Sequence, residues 1–303
     1  MKSKRYTVGN MIEIKNLIKS YDGKENVLKG ATLKIADGSV FGLVGINGAG
    51  KSTLLRLLAG VLKKDGGQVC VDDEEVYENE RVKQGIFFLP DEPYYTANVT
   101  ARAIAQTYAT LYDFDDKTFL EYIEKFKLDE NKPIRNFSKG MKRQVFVALA
   151  FALAPKYLLL DEAFDGLDPL ARLVFKRGLV KLVEERGSTV LISSHSLREL
   201  EDICDSYGIL DNGEITCYGQ IDSALEKLHK FQAAFSKPVS KEDFEFTCLS
   251  FTQTGKVVQL IARGEASDIE KKIRAKEPLF VEEIQVDFEE LFIGEVQTRG
   301  YLQ

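Results

Sequence analysis

Cysteine is scarce and scattered in these 303 residues: Cys70, Cys204, Cys217 and Cys248 form no CxxC pair. Their spacing supports neither a zinc module nor a disulfide framework, so the thiols are expected to be reduced, as in a cytosol. Long apolar runs are also missing. Nothing approaches the roughly 20 residues needed to cross a bilayer, and the basic N-terminus MKSKRYTVGN lacks the apolar core of a signal peptide. The chain by itself is expected to be soluble. Neither charge sign dominates, because 41 basic and 47 acidic residues leave a net charge of −6. That balance gives no global electrostatic case for nucleic acid or an anionic membrane surface. Internal repeats and low-complexity segments are absent too.

What is present is a 44% hydrophobic content, enough to fill one large domain plus a smaller one. Short strand-like runs (MIEIKNL, ATLKI, SVFGLVG, QVCVD, GIFFLP, YLLLDEA, TVLISS) alternate with helix-length segments, the pattern of an α/β domain. VFGLVG and YLLLDE are nearly pure apolar strands, suited to the middle of a parallel sheet covered on both faces. Both end in polar residues at the carboxyl edge, where ligand sites of such sheets lie. Apolar spacing of three and four in ARAIAQTYATLY and KTFLEYIEKFKL predicts a helical insertion at about residues 95–135. After Gly219 the pattern changes: SALEKLHKF reads as helix, EFTCLSF and KVVQLIA as strands joined through Thr254 and Gly255, and SDIEKKIRAK as helix. The expected division is residues 1–221 and a small α+β domain at 222–303. Residues 1–10, ahead of the first strand at Met11, read as an extension or an upstream start and are given no function.

GINGAGKST, residues 45–53, fits G-x-x-x-x-G-K-[ST], between the strand VFGLVG and the helical TLLRLLAGVL. In this loop (Gly45, Ile46, Asn47, Gly48, Ala49, Gly50, Lys51, Ser52, Thr53) the glycines let backbone amides converge on phosphate oxygens. The helix start adds its positive dipole end, Lys51 reaches the β and γ phosphates, and Ser52 can ligate Mg²⁺. The bland alternative is a glycine-rich turn with a surface lysine. YLLLDEAFDGLD supplies a complementary half: Asp161 to hold Mg²⁺ directly or through water, and Glu162 to polarise a water attacking the γ phosphorus. Alone, these would be two solvated carboxylates at a strand end.

With these residues in place, residues 11–219 resemble the ATP-binding subunit of ABC transporters. FSKGMKRQ resembles the family's signature loop (Ser138, Lys139, Gly140, Met141), and DGLD its D-loop (Asp165, Gly166, Leu167, Asp168). SSH ending at His195 resembles the histidine switch, and Tyr21 stands where the family stacks an aromatic on adenine. The resemblance implies a P-loop NTPase fold with a helical insertion and a small β subdomain. It also implies ATP and Mg²⁺ as ligands, catalytic roles for Lys51, Glu162 and His195, and a head-to-tail dimer. In that dimer one chain's Lys51 and the other's Ser138 and Gly140 would enclose each ATP. On the residues alone, Ser138 equally reads as the N-cap of a core helix, His195 as structural, and Tyr21 as packing.

The sequence departs from the family pattern at three places. Asp91 in FFLPDEPYY stands where a glutamine is usual, an acceptor-only group that could bind metal or water at the cost of added negative charge, with Glu92 the substitute if the register slips. Lys139 and Met141 stand where glycine and glutamine are commonest. ATP hydrolysis is still implied, coupled to a separate transmembrane permease, with export favoured by a likeness to antibiotic, peptide or drug exporters. The chain would then sit in the cytoplasm, peripheral on the membrane's cytoplasmic face, as a homodimer or paired with another ATP-binding subunit. Residues 91–112, with Pro90, Pro93, Tyr94, Tyr95, Tyr108 and Tyr112, form the candidate docking surface, or else pack the insertion internally. Nucleic acid is not expected. The alternatives are a family ATPase acting on ribosomes or DNA without a membrane partner, and a nucleotide-binding switch with little turnover. The tail at 222–303 would dimerise or regulate the subunit, or cap the sheet.

Overall fold

A computed structural model of the chain describes residues 11–298, so the reading of residues 1–10 lies outside the described residues. Two compact units emerge, Met1–Tyr218 and Gly219–Gln303. The first begins with β1 (Met11–Ser20), β2 (Asn26–Ala36), β3 (Val40–Val44) and α1 (Lys51–Leu58). It continues through β4 (Gly66–Val71), β5 (Glu74–Glu75), α2 (Glu80–Lys83) and β6 (Ile86–Leu89). The helical insertion follows as α3 (Ala101–Leu111) and α4 (Asp116–Lys125), then α5 (Lys139–Leu153) and β7 (Tyr157–Asp161). The unit closes with α6 (Pro169–Arg186), β8 (Thr189–Ser194), α7 (Leu197–Glu201), β9 (Ser206–Asp211) and β10 (Glu214–Gln220).

Two sheets carry this unit. The first, β2-β1-β4-β5, is antiparallel, and alternation sends Ile12 and Ile14 of β1 and Leu33 and Ile35 of β2 into the core. The second has the order β10-β9-β3-β8-β7-β6, with β6, β7, β8, β3 and β9 parallel. All five residues of β3 and of β7 are buried, as expected of apolar strands flanked by others and covered on both faces. β9 and β10 are joined by Asn212-Gly213, both at positive φ, the conformation that two-residue hairpins favour. α5 is apolar nearly all round and buried through most of its length, as a helix enclosed by protein must be. Every strand of the second sheet except β10 points its carboxyl end to the same edge, which therefore gathers residues 45–53, 91, 161–162 and 194–195.

The second unit holds α8 (Ile221–Leu225), β11 (Leu228–Ala234), β12 (Cys248–Thr254), β13 (Val257–Arg263), α9 (Ala266–Arg274), β14 (Phe280–Ile284) and α10 (Phe288–Thr298). Its antiparallel sheet has the order β12-β13-β11-β14, a split β-α-β arrangement with α9 as the second crossover. SALEKLHKF proves to be helix only as far as Leu225. From Leu228 the chain is the central strand β11, paired on both sides, with Phe231 and Ala233 facing Ile269 and Ile273 of α9 in the unit's core. The local helical spacing lost to two flanking strands, β13 along all of β11 and β14 from Lys230 onward.

Candidate functional site

The phosphate-type loop runs from the end of β3 into α1. Gly48 and Gly50 have φ of 84° and 107°, left-handed conformations that side chains resist. A Cβ on Gly45 would lie 2.4 Å from the Leu210 carbonyl oxygen of β9, so only glycine fits there. The N-cap of α1 is Gly50, which supplies no side-chain cap, and no acid stands in the first turn. The first amides of α1 are thus left for an anion. Lys51 is buried. Its Nζ donates to the Gly45 carbonyl (2.7 Å) and lies 3.3 Å from Glu162 Oε1.

Asp161 ends β7 and Glu162 follows it at φ 48°, a strained backbone for a non-glycine residue. Ser193 of β8 ties the two together: its Oγ–H donates to Asp161 Oδ1 (2.8 Å) and its oxygen accepts the Glu162 amide (3.0 Å). Asp161 is 1% exposed and makes no ion pair among the described residues. A buried, unneutralised carboxylate of this kind calls for a cation, and together with Ser52, which lines the neighbouring cleft beside Glu162, its oxygen donors suit a hard ion such as Mg²⁺.

His195 follows β8. Its backbone N–H donates to Glu162 Oε2 (3.3 Å), and its Nδ1 is 2.9 Å from the same oxygen. A carboxylate only accepts, so Nδ1 carries the hydrogen here, and Nε2 could donate onward only in the imidazolium form. Glu162 therefore sits between Lys51 on one oxygen and His195 on the other.

Ser138 caps α5 by accepting the Met141 amide (3.2 Å), and Asp168 caps α6 by accepting that of Ala171 (2.9 Å). The two motifs touch within one chain. Lys139 Nζ meets Asp165 Oδ2 at 2.6 Å, holding that carboxyl below the usual range and raising the lysine in return. A Cβ on Gly140 would collide with the Gly166 carbonyl.

Loop, carboxylate and residue 91 line one cleft of ≈ 360 Å³. A second, ≈ 380 Å³ and bordered by Tyr21, Asn26, Lys29 and Asn212, shares Val27 and Gly48 with it. Tyr21 stands there, 58% exposed as a residue, with its hydroxyl 3.0 Å from Thr53 Oγ1. Asp91 also faces the first cleft, but its Oδ1 accepts from Arg143 (2.6 Å) and lies 3.3 Å from Lys139 Nζ. Glu92 is exposed. Among the aromatics at 91–112, Tyr95 packs on Phe146 and Tyr108 on Phe87 and Tyr112, whereas Tyr94 is 89% exposed. Sequence reasoning missed Arg143 and Ser193; the available signal for Arg143 was its place as the last charge before the apolar VFVALAFALA. Among the described residues no helix is long and apolar enough to cross a membrane.

A family model described as ABC transporter matches residues 28–165. The ABC transporter ATP-binding protein YtrB of Bacillus subtilis is 33% identical over 287 residues, 94% of this chain and 97% of YtrB, so the match extends well into the second unit. The lantibiotic transport ATP-binding protein SrtF of Streptococcus pyogenes is 33% identical over 231 residues, 75% of this chain and 99% of SrtF. A solved ATP-binding subunit of an ABC transporter superposes with a TM-score of 0.65 at 28% identity, covering 71% of this chain and 92% of that one.

Proposed function

The chain belongs to the ABC transporter family of ATP-binding proteins, an ATP-hydrolysing subunit that couples energy to a separate membrane partner, and from that premise we propose how its residues divide the work. Residues 45–53 cradle the triphosphate, Lys51 neutralises its β and γ groups, and Tyr21 flanks the adenine. Glu162 takes the proton of the attacking water, with His195 orienting the carboxylate and contacting the γ phosphate. Mg²⁺, when bound with the nucleotide, neutralises charge on its phosphate oxygens, and Ser52 and Asp161 are the residues to hold it. The carrying observation is the placement of Lys51 and His195 on opposite oxygens of Glu162, at 3.3 and 2.9 Å, beside the loop.

Ser138, Lys139, Gly140 and Met141, with the adjoining Asp165, Gly166, Leu167 and Asp168, receive the ATP held by a second copy, so the working enzyme is a dimer with nucleotide between the chains. The membrane partner is a permease met at the cytoplasmic face, and Tyr94, exposed beyond β6, is the anchor for it. Likeness to a lantibiotic transport subunit supports a transport role, and export is the direction we infer for it. Residues 222–303 dimerise or regulate the subunit. Glu162→Gln tests the scheme: it is expected to bind ATP, accumulate as a nucleotide-bound dimer on size exclusion and scarcely hydrolyse. Undiminished turnover would remove Glu162 from the base role. Co-purification of the tagged chain with a polytopic membrane protein tests the partner.

A further inference from the structure

Two of the three departures, at residues 91 and 139, meet in space, and Arg143 joins them. Arg143 lies one turn beyond Lys139 on α5 with its side chain 1% exposed. Its Nη2 donates to both the carbonyl and the Oδ1 of Asp91, each at 2.6 Å. Its Nη1 donates to the carbonyls of Asp161 (3.0 Å) and Glu162 (2.7 Å). Lys139 completes the cluster by reaching Asp91 Oδ1 and Asp165 Oδ2 from the same helix. One guanidinium thus rivets three segments: the end of β6, the start of α5 and the turn that presents Glu162.

We propose that Arg143 is a positioning residue for hydrolysis, pinning the left-handed backbone of Glu162, and that Asp91 is its counter-ion rather than a magnesium ligand. A planar fork with several donors is suited to holding three carbonyls and a carboxylate at once, which neither lysine nor glutamine can do. Left without Asp91, the guanidinium is a nearly buried cation with no carboxylate partner, a costly state that its surroundings relieve by moving. Any such movement shifts the Glu162 carbonyl and, with it, the carboxylate between Lys51 and His195. An acid at 91 and cations at 139 and 143 are therefore one device: the usual glutamine would carry no charge to hold Arg143. The proposal rests on reading Glu162 as the water-activating group.

The test is a double-mutant cycle on the full chain with Asp91→Asn, Arg143→Gln and the pair together. Three quantities are measured: kcat, the melting temperature, and Mn²⁺ affinity by paramagnetic resonance with a non-hydrolysable ATP analogue. Each single change is expected to lower kcat about 10- to 100-fold, the size found when an outer-shell partner is removed. The double variant should lose no more than the worse single, and Mn²⁺ affinity should stay at the wild-type value in Asp91→Asn. A roughly tenfold weaker Mn²⁺ affinity in Asp91→Asn would make residue 91 a metal ligand and overturn the proposal. Losses that multiply in the double variant, or a kcat untouched by Asp91→Asn, would overturn it as well. Should Arg143→Gln fail to fold, Asp91→Asn decides through kcat and Mn²⁺ affinity, and Arg143→Lys, charged but without the fork, replaces it in the cycle. Failure of the underlying reading is distinct: the wild type would then show no metal-dependent hydrolysis, or Glu162→Gln would leave it intact.

Discussion

Replacing Gly140 by alanine probes the contact between the signature helix and the D-loop with one methyl group. A Cβ built there lies 2.1 Å from the Gly166 carbonyl oxygen and 3.0 Å from its carbon, against 3.4 Å or more for an ordinary contact. The obstacle is backbone, not a flexible side-chain end, so the two segments must part by more than an ångström. Overpacking of this kind costs about 1–3 kcal/mol. In a unit of this size that lowers the melting temperature by roughly 2–12 °C. The parting also displaces the turn that leads on from Glu162, and a misplacement of about 1 Å at a catalytic group can cost 10²-fold in rate. The expected result is a kcat about two orders of magnitude down with the single chain's ATP affinity, set by its own phosphate loop, unchanged, measured by coupled phosphate release and by calorimetry. Gly166→Ala is the comparison: its Cβ has 3.4 Å to the nearest atom, and the penalty is the left-handed φ of 76°, about 1–2 kcal/mol. A Gly140→Ala variant that melts and turns over like wild type would refute the reasoning. One that melts lower but hydrolyses normally would reduce the contact to packing.

Lys51→Ala is expected to abolish ATP binding in a calorimetric titration, since the phosphates lose their main side-chain cation; unchanged affinity would sink the assignment of the loop. Glu162→Gln should lower kcat about 10²- to 10⁴-fold, the range for a lost general base, while ATP still binds. Tyr157 gives a pH signature. Burial first, and then its hydrogen bond to Asp72, push its hydroxyl above the ordinary 10.0. Because the folded state holds this proton more tightly, the stabilisation is complete below pH 10 and is lost as pH rises beyond it. Tyr157→Phe should therefore cost about 1–3 kcal/mol at pH 7 for the lost bond to Asp72, 2.6 Å long in the wild type, yet show a shallower alkaline decline in melting temperature. Parallel alkaline curves would contradict this.

The α/β architecture and the loop at 45–53 were legible because they are written locally, in apolar runs, glycines and a lysine at fixed offsets. The roles of Asp161 and Glu162 could be guessed from the strand they terminate. What could not be read is what those residues touch. Ser193 lies about thirty residues beyond the carboxylates it ties together, and Arg143 reaches back about fifty residues to Asp91. Such pairings are made by strand order and helix docking, which no local pattern encodes. For the same reason SALEKLHKF misleads: its spacing suits a helix, but the strands that claim Leu228–Phe231 are supplied by residues 257–263 and 280–284.

The strand order also bears on how this protein comes into being on the ribosome. β3, which carries the phosphate loop, lies between β8 and β9 in the sheet, and Gly45 is seated against Leu210. The loop therefore leaves the ribosome long before the strands that hold it in shape. At about 5–20 residues per second the delay is on the order of ten to thirty seconds. During that interval an all-apolar strand has nothing to pair with, the circumstance in which holding chaperones are needed. A ribosome-stalled chain ending near residue 190 is expected to bind no ATP, whereas one that exposes residues through 220 should.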